Sequence, residues 1–303
     1  MPTHERAASL ARALDSALAQ TYTALEVVIS DNASSDGTEA FCRAAAARDP
    51  RVRYLRHERD QGPTANFNTL FETCRGEYVM MLADDDWLDP GYVAACLAEM
   101  RGGVALVAGR ARYERDGEFV FDGVVHDHRQ SDPAARVRDY LATVDDNGVF
   151  YGLMPRAVLE RICPKPNVLG NDWVHVARLA SQGEIRTVPG VRIHRELGGT
   201  SADVGSILKT FGRGSWQARA PQLVIASQLL RDIAWGHAVY APLGRPRRLM
   251  LGLAAAAVSI RWRHLAWHLL TPALAGLARR PRGRSLWALY ARITRALGAG
   301  RRP

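Results

Sequence analysis

Lysine is almost missing from this chain: of 40 basic residues, only Lys165 and Lys209 are lysines. We read that bias toward arginine and alanine as genome composition rather than function. Acids are almost missing from the last third. Residues 206–303 hold 17 Lys+Arg against one acid, Asp232, and sum to +16, whereas residues 1–205 hold 23 against 30 and sum to −7. The overall charge of +9 describes neither part, and the two need separate explanations. Cysteine pairing is absent as a pattern. Cys42, Cys74, Cys96 and Cys163 are widely spaced with no C-x-x-C, which argues against a zinc site or a disulfide framework and for reduced cysteines in the cytoplasm. No run of 18 apolar residues occurs, so no clear membrane-spanning helix is expected. Polar residues follow Met1 directly, so no leader peptide is expected.

What is present is an α/β pattern. With 303 residues and 47% apolar content, the chain suits one large α/β domain with an appendage. Leu10, Leu14, Ala17 and Leu18 share one face of a helix over 5–19. Leu25 to Ile29 is a short apolar run fit for a strand buried on both faces. Helices are expected over 37–48, 63–75 and 89–101, and strands over 52–55, 77–83 and 104–108. Short apolar strands alternating with helices imply parallel βαβ units. Such a sheet should open with a strand, yet Met1 to Arg6 reads as the loop after one. The expectation is therefore a truncated first strand, with the true start upstream of Met1. After about residue 205 the alternation ends, giving a division into 1–205 and a basic, helical 206–303.

Two acidic motifs fall at strand carboxyl ends, where such sheets bind ligands: Asp31-Asn32 and Asp84-Asp85-Asp86. Three adjacent carboxylates repel one another, and a divalent cation is the usual offset. Hard oxygen donors suit Mg²⁺ or Mn²⁺, with substrate phosphates completing the shell. The plain alternative is a solvated acidic turn ahead of the next helix. Asp89 reads as a simple N-cap, and Asp36-Gly37 as a turn.

Read in order, Pro2-Thr3-His4-Glu5-Arg6, Ala19-Gln20-Thr21-Tyr22, Ser30 to Thr38, Asn66, Arg75-Gly76-Glu77-Tyr78 and Leu82 to Trp87 resemble the family 2 glycosyltransferases of the GT-A fold. The resemblance covers residues 1–110 strongly and runs weakly to about 205. It implies a GT-A, mixed and mostly parallel sheet flanked by helices. It also implies an inverting transfer of sugar from a UDP-, dTDP- or GDP-linked donor. Pro2, Thr3 and Glu5 would line the nucleotide pocket. Asp31 and Asn32 would face base and ribose, and Asn66 belongs to the same donor site. Asp84 and Asp85 would lie near ribose and metal, with Asp85, Asp86 and His194 as metal contacts. Ala83 stands where many members carry an Asp. The resemblance places a general base at the start of a later helix, where Gly170-Asn171-Asp172-Trp173 makes Asp172 the candidate; its plain alternative is an N-cap. Trp173 is either a neighbour of the acceptor sugar or a core residue. Arg192 and Arg195 would offset phosphate charge, and Gly198-Gly199-Thr200-Ser201 would be a mobile closing loop.

The basic tail interleaves Trp, Leu and Arg over 261–270 and shows an apolar face over 285–297. That suits helices lying on an anionic membrane, which fits the glycan or lipid-linked acceptors expected of the family and places the protein in the cytoplasm, peripheral on the inner face of the plasma membrane. The alternatives are packing on the catalytic domain, a dimer contact, or nucleic acid, which no base-reading motif supports. Two further readings compete with the enzyme. One is a degenerate, membrane-associated nucleotide-binding module, favoured by Ala83 and the short first strand. The other is a nucleotidyltransferase, for which Met1 to Leu14 lacks the Gly-rich, Lys-containing phosphate loop.

Overall fold

The computed structural model describes residues 1–197 and 220–260. Pro2–Thr3 (β1), Val27–Asp31 (β2) and Val52–Arg56 (β3) form a parallel three-stranded sheet in the order β1-β2-β3. Helices Ala7–Leu18 (α1) and Thr38–Arg48 (α2) make the crossovers between these strands. All five residues of β2 are buried: Val27, Val28 and Ile29, as their apolar run requires, and then Ser30 and Asp31. The opening residues are thus not wholly loop: Pro2 and Thr3 pair in register with Ser30 and Asp31.

The second sheet has seven strands. Pro63–Thr73 (α3) leads to Tyr78–Met80 (β4), shorter than the 77–83 expected, because Leu82 to Asp86 turns away into the acidic loop. Trp87–Leu88 (β5) and Tyr92–Glu99 (α4) follow, then Val104–Arg115 (β6), Glu118–Asp122 (β7) and Asp127–His128 (β8). Pro133–Thr143 (α5), Leu153–Pro155 (β9), Arg156–Ile162 (α6), Asn171–Gln182 (α7) and Glu184–Glu196 (β10) complete it. The order is β4-β9-β6-β10-β5, with β7 on β6 and β8 on β10. The sheet is mixed: β10 runs parallel to β6 and antiparallel to β5 and β8. That arrangement matters for the site, since β10 carries His194 into register with Trp87, directly after the three acids.

Residues 198–219, including the expected closing loop, and 261–303, including both amphipathic stretches of the tail, lie outside the described residues. Between them, Pro221–Arg231 (α8) and Arg245–Ser259 (α9) are joined by a π turn and a 3₁₀ turn. This part packs on the α/β body. Leu229, Ile233, Tyr240, Leu251 and Ala255 belong to one buried cluster with Val137, Tyr140 and Leu179 of α5 and α7. The lone acid of the tail explains the join: Asp232 is buried and receives Arg178 of α7 through Nε at 3.0 Å and through Nη2. The remaining guanidinium donor bonds the carbonyls of Ile162 and Pro164, each at 2.7 Å. Gly170, just before α7, sits at φ +73°, and a Cβ there would meet Ile225 of α8 at 2.8 Å. No helix among the described residues is long and apolar enough to cross a membrane.

Removing one partner of a buried ion pair strands the other without water. Asp232→Ala should lower the unfolding free energy by about 3–5 kcal/mol. Urea denaturation of the variant against the parent chain measures it, and Asp127→Ala, an exposed ion pair with Arg129, should change it by less than about 1 kcal/mol.

Candidate active site

The donor-side residues foreseen from sequence do meet at the carboxyl ends of β1 and β2. Asn66, from α3, donates through Nδ2 to the Ser30 carbonyl at 2.9 Å and the Thr3 carbonyl at 3.4 Å, stitching the two strand ends together. Its Oδ1 is buried without a protein partner. Glu5 accepts from the Ser35 amide and hydroxyl at 2.6 and 2.9 Å, while its own amide donates to Ser34. Glu5 and Ala33 both hold positive φ, 55° and 62°. Left-handed non-glycine residues are uncommon and gather where surrounding structure enforces them.

Asp31 and Asn32 are more committed than the sequence suggests. Asp31 is fully buried. Its Oδ1 accepts the Ser34 amide, and its Oδ2 takes the Tyr54 hydroxyl at 2.7 Å and Arg56 at 3.2 Å. Burial works against its charge, but these donors prevail and its pKa lies below the ordinary carboxylate value. Asn32 donates to Asp60 and accepts the Gln61 amide at 2.9 Å. Both side chains therefore hold the loops that frame the pocket. Tyr54, Arg56 and Asp60 are the partners that sequence reasoning missed, because nothing at spacings of 23 to 28 residues marks them.

The acidic triplet divides into three different environments. Asp86 is buried, accepts Arg195 Nε at 3.0 Å, and has its pKa raised, by burial first, with the Arg195 charge opposing. Arg195 is itself stacked on Tyr151, 4.4 Å from the ring centre. Asp85 meets Arg6 at 3.4 Å, and its backbone carbonyl accepts from Arg12. Asp84 has no ion-pair partner at this range; burial, and then the charge of Asp85, push its pKa up to about 6, with Thr3 and Arg6 pulling the other way.

His194 sits between two carboxylates. Its Nδ1 lies 2.7 Å from Glu114 and its Nε2 2.9 Å from Asp89, and the ring stacks on Trp87 at 5.1 Å. Both ring nitrogens thus lie within hydrogen-bond distance of a carboxylate. Asp89 is correspondingly not the N-cap expected: α4 begins at Tyr92 after Gly91, and the Asp89 carboxylate binds His194 and the Arg192 amide. Among the described residues no three His, Cys, Asp or Glu side chains form a ready-made cage for a metal. The donor set at Asp84 and Asp85 nonetheless fits a hard divalent ion that keeps few protein ligands: one carboxylate there lacks a cation, and the other has only a long contact to one.

Asp172 lies in the first turn of α7, where its Oδ1 accepts the Trp173 amide. Asn171 beside it donates to Thr64 of α3 at 3.2 Å, fixing the helix start against the donor half. Tyr151 links the two acidic groups, since it feels the charges of Asp86, Asp85 and Asp172 together. Trp173 packs against the core. Lys165 is the unforeseen neighbour. It is buried, its ammonium lies 4.2 and 4.4 Å from the ring centres of Phe67 and Phe150, and burial pushes its pKa down to about 8, against the charge of Asp172. Its rarity in a lysine-poor chain was the available signal.

A carboxyl whose folded pKa is raised binds its proton more tightly in the native state, so the stability it gives is present at low pH and lost as pH rises from 3.8 toward 6. Asp84→Asn removes that loss. Its melting temperature should exceed the parent's above pH 6, by up to about 3 kcal/mol in stability, and match it near pH 4, as thermal scans at the two pH values will read.

Comparison with known proteins gives the family and the fold. The model of the family described as "Glycosyl transferase family 2" matches residues 1–162. A GalNAc(5)-diNAcBac-PP-undecaprenol beta-1,3-glucosyltransferase of Campylobacter jejuni is 29% identical over 184 residues, 58% of each chain. A putative colanic acid biosynthesis glycosyl transferase of Escherichia coli is 30% identical over 50% of this chain and 54% of its own. The chain thus spans less than two thirds of these curated relatives. Among solved structures, S. aureus TarS 1-349 in complex with UDP-GlcNAc superposes with a TM-score of 0.51 at 14% identity, covering 99% of this chain and 90% of that one. At that identity the likeness concerns the fold, which is the GT-A arrangement. The matched family model spans more than half of the chain, and the chain belongs to glycosyl transferase family 2.

Proposed function

We propose that this protein is a metal-dependent, inverting glycosyltransferase that moves a sugar from a nucleoside-diphosphate donor to a glycan or lipid-linked acceptor in the building of a cell-envelope polysaccharide. The observation that supports the reading is the neighbourhood of Tyr151: its hydroxyl accepts from Arg195, the partner of Asp86, and the ring feels the charges of Asp86, Asp85 and Asp172. Inverting transfer needs that pairing, with charge neutralisation for a leaving diphosphate on one flank and a base for the acceptor hydroxyl on the other.

In this reading Asp84 and Asp85 hold Mg²⁺ or Mn²⁺, which supplies charge neutralisation at the departing diphosphate. Asp86 and His194 act behind them, Asp86 by fixing Arg195 and His194 by locking Asp89 and Glu114. Thr3 and Asn66 belong to the donor side, where Thr3 Oγ1 and Asn66 Oδ1 are buried without a hydrogen-bond partner. Asp31, Asn32 and Glu5 shape the pocket wall. Asp172 takes the acceptor proton.

The described part of the tail supports work beside a membrane. Trp235, Leu249, Met250 and Leu253 are 67, 41, 62 and 53% exposed. On α9, Pro246, Leu249, Met250, Leu253 and Ala257 form one exposed apolar stripe, with Arg245 and Arg247 on its flanks. Such a stripe beside arginines suits an anionic bilayer surface, and a lipid-linked acceptor would be presented there.

Asp172→Asn should lower turnover roughly 100- to 10,000-fold and leave the dissociation constant for the nucleoside diphosphate unchanged. Nucleotide-sugar turnover and calorimetry read the two quantities. Unchanged turnover would remove Asp172 as the base, and nucleotide binding without turnover in the parent chain would favour a binding module instead. Flotation with anionic vesicles should recover the protein, zwitterionic vesicles should not, and Met250→Asp with Leu253→Asp should abolish recovery. Equal recovery by all would remove the membrane from the reading.

A further inference from the structure

Arg195, on β10, is held between two phenols. Its Nη1 donates to the Tyr113 hydroxyl at 3.2 Å and its Nη2 to the Tyr151 hydroxyl at 3.4 Å, while Nε is committed to Asp86. A phenol can accept and can also donate one proton, and here the two rings differ. Tyr113, on β6, is buried and gives its proton to Asp146 at 3.0 Å. Tyr151 is half-buried, and among the described residues its hydroxyl proton meets no acceptor.

The Tyr151 ring is placed by backbone and packing. Gly148–Tyr151 is a 3₁₀ turn that leads into β9. At Gly152, just after it, a Cβ would meet the Val107 carbonyl at 2.6 Å, so the absence of a side chain lets the turn lie against β6. Tyr92 donates its hydroxyl to the Tyr151 carbonyl at 3.3 Å. Phe150 meets the Tyr151 ring edge-on with centres 5.1 Å apart, and the ring packs against both hydrophobic clusters of the protein. The hydroxyl, with one long bond, contributes little to this arrangement. Burial pushes its pKa up first; the Arg195 charge opposes, and Asp86, Asp85 and Asp172 add to the rise. The group therefore keeps its proton and serves as a donor.

We propose that Tyr151 is a contact to the transferred sugar: its phenolic proton goes to an oxygen substituent of that sugar, a hydroxyl or an acyl carbonyl, and so helps set which sugar is accepted. The inference rests on the transfer proposed above. In an inverting displacement the sugar ring stands between the leaving diphosphate and the hydroxyl that the base deprotonates. Tyr151 feels the acids assigned to both flanks, Asp85 and Asp172. With Arg195 filling a lone pair, the phenol is a directional donor. A sugar that lacks the matching oxygen leaves that donor unpaired, which is how hydrogen-bonding sites reject analogues.

The test begins with a panel of uridine, guanosine and deoxythymidine diphosphate sugars, with Mn²⁺, read by release of the nucleoside diphosphate. The accepted donor, and derivatives of it that each lack one oxygen substituent, are then compared on the parent, Tyr151→Phe and Tyr113→Phe. Tyr151→Phe should lower kcat/KM on the accepted donor by about tenfold, with the melting temperature and the affinity for the free nucleoside diphosphate unchanged. One derivative should cost the parent a similar factor, and on it Tyr151→Phe should lose less than about twofold more. Tyr113→Phe, which removes the other phenol on Arg195, should add its loss to that of every derivative. Additive losses for Tyr151→Phe at every position, unchanged kcat/KM, or the same coupling in Tyr113→Phe would overturn the contact while leaving the transfer intact. No release by the parent from any donor would overturn the proposed transfer, and this inference with it.

Discussion

Three consecutive carboxylates at the end of a buried strand are the constraint around which the rest of the site is arranged. Asp84, Asp85 and Asp86 cannot all be charged at close quarters without compensation, and each receives a different amount. Asp86 gets a full guanidinium from Arg195, Asp85 a long contact from Arg6, and Asp84 no ion pair. The gradient has a structural origin. Arg195 is delivered by β10, a strand of 13 residues held between β6 and β5, whereas Arg6 comes from the start of α1. Compensation is thus complete on the protein side and incomplete toward the donor pocket, where a cation and a diphosphate would supply it.

The same strand explains why His194 serves the scaffold. Antiparallel pairing puts it beside Trp87, and two carboxylates from different elements close on its ring. Locking that ring fixes Asp89 at the mouth of α4 and Glu114 at the end of β6, so the segment that presents Arg195 is held at three points. On the far side, α7 carries Asp172 at its first turn and Arg178 two turns later, and Arg178 is clamped to the single acid of the tail. The orientation of the proposed base is thereby tied to the packing of α8 and α9, so disturbing the tail disturbs α7.

The sequence revealed those parts of this design that are local. The run from Leu25 to Ile29 announced a doubly buried strand because its signal is continuous hydrophobicity. Asp84 to Asp86 announced a site because like charges do not cluster without cause, and Asp172 stood out at a helix start after Gly170. Long-range partners were not legible. Tyr54 and Arg56 reach Asp31, Glu114 reaches His194, and Asp232 reaches Arg178 across 23, 25, 80 and 54 residues. Each partner is an ordinary residue until the fold sets it in place. For that reason the protein partners of Asp31, Asn32 and His194 became visible only in the fold.

The most direct test of the central claim follows protons as well as heat. A nucleoside diphosphate, UDP or GDP, is titrated into the protein near pH 6 with Mn²⁺ and again with a chelator, in two buffers of different ionisation enthalpy. Binding that requires the cation and releases about half a proton per site is expected, because Asp84, with its pKa raised to about 6, is about half protonated at that pH and must be ionised to take the metal. Equal affinity with and without the cation, with no proton released, would contradict the assignment of the acidic loop as a metal–diphosphate site.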